Sequence, residues 1–392
     1  MPAARRKSYR RVAICVDRAQ GYGTTILRGI ARYVETYGPW SLFIDPRFNG
    51  ELSQGWMREW AGDGVLAYVE DVRLADTLRH SEIPVVEVFG HRHDLGLPQV
   101  CTDNRAIGRL GAEHLIERKF RHFSFFGYRG LPWSELRLQG FAETLKNAGF
   151  ECHVHLLPRH LGVLTQWNKV QQQMGDWLVK LPRPNGIMAC SDRHAQRIID
   201  ACSRENISVP EEMAVVGAGN DEDLCRLTNP PLTSVIYDIE RIGYEAAQLL
   251  DQIMRGNRAA AKPKCMLIPP LGIAMRRSTE VTAIDDRMIA DAMRFIREHA
   301  CDGITVEEIL AEFNISKTHF YRRFQNALGR SPHEEILRVK LERARSLLTQ
   351  TDLAIERIAE LSGFEHSEYL YPVFKRVFGM TPRAFRTRKP PG

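Results

Sequence analysis

The chain has 392 residues, of which 44% are apolar and 26% charged, and its net charge is +6. This length is too great for one ordinary domain and predicts two or three. No run of about 18 apolar residues is present, which excludes a membrane-spanning helix. The basic N-terminus lacks the apolar stretch and cleavage site of a signal peptide. Eight scattered cysteines without a C-x-x-C pair agree with a cytoplasmic protein.

Short apolar strands alternate with amphipathic helices from Arg11 to about Ile273. The strand RVAICVD precedes a helix through TTILRGIARYVETYG, and the same alternation recurs around HFSFFGY, GIMACS and MAVVGAG. Such alternation predicts parallel sheets in an α/β fold. Because a single sheet rarely needs so many residues, we expect an α/β domain of two lobes over residues 9–278.

Beyond Asp285 the pattern predicts only helices, joined by short turns, over residues 285–388. This all-α region contains a repeat at an offset of about 50 residues, in which each copy has a short helix, a tight turn and a second helix closed by glycine. A helix-turn-helix has this geometry. The matched pairs are Val306 and Ile355, Ile309 and Ile358, Leu310 and Ala359, Asn314 and Gly363, Phe324 and Phe374, Gly329 and Gly379, and Pro332 and Pro382.

Several residues mark where these helices begin. Ser316 follows the first turn and is placed to cap the second helix. Ser331 and Pro332, with Glu334 three residues after the serine, form a capping-box pattern. Thr381 repeats that start in the second copy. The helix between the copies, roughly residues 332–348, is expected to hold the two recognition helices about one DNA turn apart.

The second helix of the first copy buries one face through Phe320 and Phe324 and exposes the other. Its exposed donors, acceptors and aromatic ring suit the major groove of DNA. Residues 316–345 contain eight Lys or Arg and three Asp or Glu, a local net charge of 8 − 3 = +5. A solvated helical bundle is the alternative interpretation, which the repetition disfavours. The candidate DNA contacts are Lys317, Thr318, His319, Tyr321 and Arg322.

Residues 304–386 resemble an AraC-type DNA-binding domain, and IAELSGFEHSEYLYPVFKRVFGMTP is close to the signature of that family. The resemblance implies double-stranded operator DNA as a partner. One departure is Pro372, which lacks an N–H and is expected to bend the second recognition helix. Candidate contacts in this copy are His366, Ser367, Glu368 and Tyr371.

The α/β region resembles the LacI-type effector domain, which is similar to periplasmic sugar-binding proteins. The stretches CTDNRAIGRLGAEHLIERKFRHFSFFG, ELRLQGF and NPPLTSVIYDIERIGYEAAQLL carry this resemblance. It implies two lobes joined by three crossings of the chain, with ligand in the cleft between them. In open α/β sheets, ligands bind outside the carboxyl ends of the strands. Sugars need aimed hydrogen bonds and some aromatic surface.

The candidate ligand contacts therefore follow strand ends. Arg137 matches the ligand-binding arginine of the family. Gly219 stands where the family often has an aspartate, so its neighbours are expected to substitute for it. For each candidate the alternative is a loop cap, a surface charge or an ion pair between lobes. Asp103 is expected to cap a helix rather than to bind ligand. The candidates are Asp17, Tyr22, Arg137, Ser191, Asp192, Asn220 and Asp221.

A sensor placed before a double helix-turn-helix is the order found in the family of xylose operon regulators, which this chain resembles over nearly its whole length. The resemblance implies a D-xylose-responsive transcriptional activator that works as a homodimer. A regulator that responds to another pentose or to a polyol stays open as an alternative.

An α/β enzyme with a helical appendage is the alternative from a different class. The segments GYGTTI and GAGNDE begin like a dinucleotide-binding loop, but Ile26 and Glu222 replace its third glycine. Phosphate-loop, nucleophile-elbow and H-E-x-x-H motifs are missing from the sequence. The H-x-H pairs at residues 91–93 and 153–155 lack a third ligand. We therefore expect neither a cofactor nor a metal, and no catalytic residue.

Overall fold

The computed structural model describes residues 9–16, 21–44, 60–69, 72–90, 95–158, 167–257, 259–280 and 286–387, without the side chains of residues 167–169, 287 and 350. Internal contacts divide the chain into two compact units. The first consists of Met1–Leu181, Gly186–Glu205 and Val215–Glu280. The second consists of Pro182–Asn185, Asn206–Ala214 and Val281–Gly392. No helix in the described ranges is long and apolar enough to cross a membrane.

The first unit has two α/β lobes. The sheet of the first lobe has six strands: β1 (Arg10–Cys15), β2 (Trp40–Ile44), β3 (Gly64–Ala67), β4 (Val85–Glu87), β5 (Gln99–Thr102) and β11 (Cys265–Ile268). Their order is β11-β5-β4-β3-β1-β2, and every pairing is parallel. Helices α1 (Gly21–Tyr37), α2 (Val72–His80) and α8 (Ile239–Met254) pack on this sheet. Covered on both faces, strands such as GVLA in β3 are apolar and buried throughout.

The second lobe repeats this plan. Its strands are β6 (His122–Arg129), β7 (Cys152–Pro158), β8 (Asn185–Ala189), β9 (Met213–Ala218), β10 (Thr233–Ile236) and β12 (Gly272–Ala274), in the order β12-β10-β9-β8-β6-β7. Only the edge strand β12 is described as antiparallel to its neighbour. Its helices are α3 (Asn104–Glu117), α4 (Pro132–Asn147), α5 (Trp167–Val179), α6 (Asp192–Arg204) and α7 (Glu222–Leu227).

The chain crosses between the two lobes three times: after β5, between β10 and α8, and between β11 and β12. The two-lobed α/β architecture expected from the sequence is thus confirmed. Since both sheets are largely parallel, the loops at the carboxyl ends of their strands come together at the cleft.

Helices α3 and α4 pack closely because each contributes a glycine to their contact. A Cβ added at Gly108 on α3 would overlap the backbone carbonyl of Arg137, and one added at Gly140 on α4 would overlap that of Arg105. The close approach brings the first residue of α3, Asn104, within hydrogen-bonding distance of the Arg137 side chain.

The helices of the second unit are α9 (Arg287–His299), α10 (Val306–Glu312), α11 (Lys317–Leu328), α12 (Pro332–Gln350), α13 (Ile355–Leu361), α14 (Ser367–Phe378) and α15 (Pro382–Thr387). They form two apolar cores. The first core gathers α9, α10 and α11 around Phe320 and Phe324, and the second gathers α13 and α14 around Leu370 and Phe374. Both phenylalanines of the first copy are fully buried, as the sequence predicts.

The helix α12 belongs to both cores. Ile336 and Val339 in its first half pack in the first core, whereas Leu341 and Ala344 in its second half pack in the other. It starts with the predicted capping box, in which Ser331 and Glu334 bond each other's backbone N–H. Thr381 accepts a similar bond from the N–H of Ala384. Ser316 differs from expectation: it occupies the cap position of α11, but its side chain makes no capping hydrogen bond.

Candidate ligand site and nucleic-acid interface

Arg137 is a buried polar side chain that its neighbours hold in place at the cleft. It projects from α4, is 7% exposed, and donates from Nε to Oδ1 of Asn104 over 2.9 Å. Its Nη1 group donates to the backbone carbonyl of Cys190, at the end of β8. Two of its three nitrogens are therefore fixed by the second lobe, and the direction of the guanidinium is set.

Two aromatic rings enclose this guanidinium. Its carbon lies 4.8 Å from the ring centre of Trp133 and 5.0 Å from that of Tyr237, which is favourable cation–π geometry. Nη2 of Arg137 has no hydrogen-bond partner among the residues that the structure describes. The Tyr237 hydroxyl is also buried without a described partner. Burial raises the pKa of Tyr237, so the hydroxyl stays neutral and can both donate and accept.

The first lobe contributes an aromatic cluster at the ends of β3 and β4. Tyr22 donates from its hydroxyl to the carbonyl of Val88 over 3.2 Å, and its ring lies 5.0 Å from that of Phe89. Tyr68 contacts the same phenylalanine at 4.4 Å. Burial raises the pKa of Tyr22, and Tyr237 is among the groups that act on it electrostatically. Tyr22 and Tyr237 thus place an aromatic side chain from each lobe at the cleft.

Asp192 is 3% exposed, and both of its carboxylate oxygens are engaged. Oδ1 accepts from the hydroxyl of Ser234, and Oδ2 accepts from the backbone N–H of Asp221 over 2.8 Å. Burial raises the pKa of Asp192. In this arrangement the side chain connects the start of α6 to the loop after β9 and holds that loop in place.

The other polar candidates, which follow β8 and β9, also have protein partners. The hydroxyl of Ser191 lies 2.7 Å from Nδ1 of His194. Asn220 has a positive φ of 53° and accepts from Nη2 of Arg276 over 2.9 Å. Asp221 caps α7 by accepting from the N–H of Leu224.

Asp103 caps α3 as expected, by accepting from the N–H of Ala106 over 2.9 Å. Asp17 lies outside the described residues. Arg137 is thus the candidate that keeps a donor group, Nη2, without a partner among the described residues, whereas the hydroxyl of Tyr22 already donates to Val88.

Sequence reasoning missed three residues of this site: Asn104, Trp133 and Tyr237. Each comes within a few residues of a strand end, since Asn104 follows β5, Trp133 follows β6 and Tyr237 directly follows β10. The sequence analysis chose polar residues that follow strand ends. It would have found these three if it had also considered aromatic residues and the first residue of each following helix.

In the first helix-turn-helix, α10 and α11 are joined by a turn that contains Asn314 at a φ of 45°. A capping box between Thr305 and Glu308 starts α10. Four of the five predicted DNA contacts on α11 are exposed: Lys317, Thr318, His319 and Arg322. Tyr321 is half-buried and packs against the first core.

In the second helix-turn-helix, α14 runs unbroken from Ser367 to Phe378 with Pro372 inside it. Pro372 does not end the helix, although it removes the N–H that would normally bond the carbonyl of Glu368. His366 and Glu368 are exposed, whereas Tyr371 packs partly in the second core. Tyr369, which sequence reasoning passed over, is 53% exposed on the outer face. It stands where His319 stands in the first copy, so the offset of the repeat would have found it.

Much of the positive charge near α11 and α12 is compensated within the protein. Arg323 pairs with Asp286, while Arg330 and Arg338 both pair with the fully buried Glu335. Arg322 has no carboxylate partner among the described residues and is exposed. It is therefore the cation of α11 that is most available to DNA.

The chain combines a two-lobed α/β unit, which has a polar and aromatic cleft, with paired helix-turn-helix units that expose basic and polar residues. This combination defines a class of protein: a ligand-responsive, DNA-binding transcription regulator, not an enzyme. Three family descriptions match the chain in the same order. Residues 11–105 match the XylR N-terminal domain, residues 112–279 match the periplasmic binding protein-like domain, and residues 309–388 match the helix-turn-helix domain.

Comparison with individual proteins agrees over almost the full length. The xylose operon regulatory protein of Haemophilus influenzae is 31% identical over 389 residues, covering 97% of this chain and 99% of that protein. The protein of the same name from Escherichia coli K12 is 30% identical over 387 residues, covering 96% of each. A solved structure of the "xylose-binding transcription activator xylR" superposes with a TM-score of 0.81 at 29% identity, covering 97% of this chain and 98% of that one. The chain belongs to the family of xylose operon regulatory proteins.

Proposed function

We propose that this chain is a D-xylose-dependent activator of sugar-utilisation genes. The observation that carries the sugar assignment is the enclosed guanidinium of Arg137, with Nη2 and the nearby Tyr237 hydroxyl both lacking partners among the described residues. Buried polar groups that have no partner are costly, and sugar hydroxyls both donate and accept hydrogen bonds. The ring of Trp133 adds the flat apolar surface that a pyranose needs.

D-xylose rather than another sugar is supported by the names of the relatives, two of which are xylose operon regulatory proteins and one a xylose-binding activator. The donors at Arg137 and Tyr237 suit any pentose or small polyol equally well. A regulator that responds to another pentose is therefore the second candidate, and measuring which of several sugars stabilises the protein separates the two.

In the proposed mechanism, the sugar closes the two lobes and shifts the population toward the state that binds the operator. The size of that shift is limited by the difference in the affinity of the sugar for the two states. The proposal includes a homodimer, because two copies with two recognition helices each would match an operator of two half-sites. A regulator of this kind works where the DNA is, so the proposal also includes a cytoplasmic location.

Thermal unfolding of the full chain with D-xylose, L-arabinose, D-ribose and D-glucose tests the sensor. A ligand that binds only the folded state at 100 times its dissociation constant adds about 2.7 kcal/mol, which raises the melting temperature measurably. We expect stabilisation by D-xylose. Stabilisation by another of these sugars alone would replace D-xylose as the signal, and no stabilisation by any would contradict the sensor assignment.

Two arginine variants make this test specific. Arg137→Ala should weaken sugar binding by roughly 10- to 150-fold, because hydrogen bonds to charged groups contribute about 1.5–3 kcal/mol. Arg109→Ala is the matched control, since Arg109 lies on the surface of the same lobe and, among the described residues, its one ion pair is with Glu113 over 3.5 Å. An equal loss of sugar affinity in the two variants would contradict a direct contact between Arg137 and the sugar.

The DNA-binding half is tested by protection of operator DNA with and without sugar. Arg322→Ala should weaken protection, while Arg109→Ala should leave it unchanged. Light scattering of the free and sugar-bound protein tests the homodimer.

A further inference from the structure

We propose that the two recognition helices read chemically different DNA: α11 binds guanine through Arg322, whereas α14 packs Tyr369 and Pro372 against the methyl group of thymine. The inference rests on the proposed function and names the bases to which each helix-turn-helix responds.

Buried residues fix the register in which the two helices are compared. Phe320 and Phe324 of α11 correspond to Leu370 and Phe374 of α14, all four of which are fully buried. Both helices have 12 residues and end at a glycine in the left-handed conformation. The two outer faces are therefore equivalent position by position at an offset of 50 residues.

On α11 the central outward positions are polar. Thr318, His319 and Arg322 are exposed, spaced along one helical face. The next residue, Arg323, is held by Asp286 and turned away from this face, while Lys317 pairs with Glu307 over 3.3 Å. Arg322 is left to use the two parallel donors of its guanidinium, the group that binds O6 and N7 of guanine.

The same positions on α14 hold Glu368, Tyr369 and Pro372, all exposed. None of them is a cation, and Pro372 has no donor in either its side chain or its backbone. The proline and tyrosine rings form an apolar surface where α11 has its arginine and histidine. In the major groove, the C5-methyl group of thymine is the feature that an apolar surface recognises.

The basic residues of α14 lie further along the helix. Lys375 and Arg376 are exposed at the positions that Gln325 and Asn326 occupy on α11. More than a turn from the start of the helix, they are placed for phosphates, which fix the position of a protein on DNA without reading sequence. The second helix-turn-helix would thus keep its affinity for the backbone while reading bases by apolar contact.

The experiment starts by selecting binding sites for the full-length protein from a random DNA pool in the presence of D-xylose. In the selected site, guanine is then replaced by 7-deazaguanine, which lacks N7, and thymine by uracil, which lacks the methyl group. We expect the loss of N7 to weaken binding by roughly 5- to 150-fold in the segment under α11. We expect the loss of the methyl group to weaken it about fourfold in the segment under α14.

Variants assign each effect to its helix. Arg322→Ala should abolish the sensitivity to 7-deazaguanine, and Arg322→Lys, which keeps the charge, should abolish most of it. Pro372→Arg gives the second helix the chemistry of the first and should create guanine preference in its segment. Since Pro372→Arg also restores the backbone N–H, it should not unfold α14, which circular dichroism checks.

The outcomes separate two failures. A selected site with guanine sensitivity in both segments, in neither, or only under α14, overturns this inference and leaves the regulator intact. Recovery of no specific site, with or without the sugar, overturns the proposed function itself.

Discussion

Arg323 and Asp286 form an ion pair with two hydrogen bonds that fastens the first recognition helix to the start of α9. Nε of the arginine donates to Oδ2 of the aspartate over 2.6 Å, and Nη2 donates to Oδ1. The same carboxylate caps α9 by accepting from the N–H of Ile289. One side chain thus holds two helices, and the orientation of α11 depends on it.

Arg323→Ala is expected to lower the free energy of unfolding by less than about 1 kcal/mol, because the pair is partly exposed. Asp286→Ala also removes the helix cap, so its expected cost is larger, about 1–2 kcal/mol. Chemical denaturation measures both. Arg322→Ala is the neighbouring control and should stay within about 0.5 kcal/mol. An Arg322→Ala loss above that of Asp286→Ala would contradict this account.

The same pair gives a pH dependence with a defined sign. Partial burial raises the pKa of Asp286, but the hydrogen bonds from Arg323 and from the N–H of Ile289 outweigh it and lower the pKa overall. The contribution to stability is therefore present above the unfolded-state pKa of about 3.9 and is lost as pH falls through the lower folded value. The stability difference between the wild type and Asp286→Asn should stay constant from pH 7 to about pH 5 and shrink below about pH 4.

Glu87 is expected to show the opposite trend. It is fully buried, and burial raises its pKa to about 8 despite hydrogen bonds from the N–H groups of Gly90 and Phe89. The folded state then holds a proton that the unfolded state releases at about pH 4.3, so stability falls as pH rises from there to about 8. Glu87→Gln should remove this decline. Parallel slopes for the variant and the wild type between pH 5 and pH 8 would contradict the prediction.

The glycine contact between α3 and α4 links packing to ligand binding. Gly108→Ala is expected to cost about 1–3 kcal/mol, because the new methyl group overlaps the carbonyl of Arg137. It should also weaken sugar binding, since the shift separates Asn104 from the Arg137 guanidinium. Lys146→Ala, at an exposed position of α4, is the control and should change neither quantity.

The capping box of α12 gives a prediction that is independent of the ligand. Ser331→Ala should lower the free energy of unfolding by about 1 kcal/mol, because it leaves the N–H of Glu334 without its acceptor. Ser316→Ala should cost less, because the Ser316 side chain makes no capping bond. Denaturation of the two variants side by side tests whether the cap geometry or the mere presence of serine matters.

Features set by local periodicity were predictable from the sequence. The burial of Phe320 and Phe324, the capping box at Ser331 and the cap at Asp103 depend on residues a few positions apart. The two-lobed plan also followed, since alternating strands and helices admit few arrangements.

The cleft depends on contacts that local patterns do not encode. Arg137 meets Asn104 across 33 positions and Tyr237 across about 100, and no short-range rule brings these three together. Asp192 illustrates the converse. It follows a strand as a ligand residue would, yet Ser234 and the backbone of Asp221 occupy its carboxylate, and only the folded loop reveals this.

The helix α12, which is shared by both apolar cores, fixes the distance and the rotation between the two recognition helices, and therefore the spacing of the two DNA segments that they can bind together. Its 19 residues span about 28 Å. One residue added between Val339 and Leu341 would turn the second reading helix by about 100° relative to the first while advancing it only about 1.5 Å. The two recognition helices could then no longer face the major groove at the same time, although each would keep its own structure. We therefore expect the interval between the two bound segments to be invariant in every operator of this protein, whatever the bases within them.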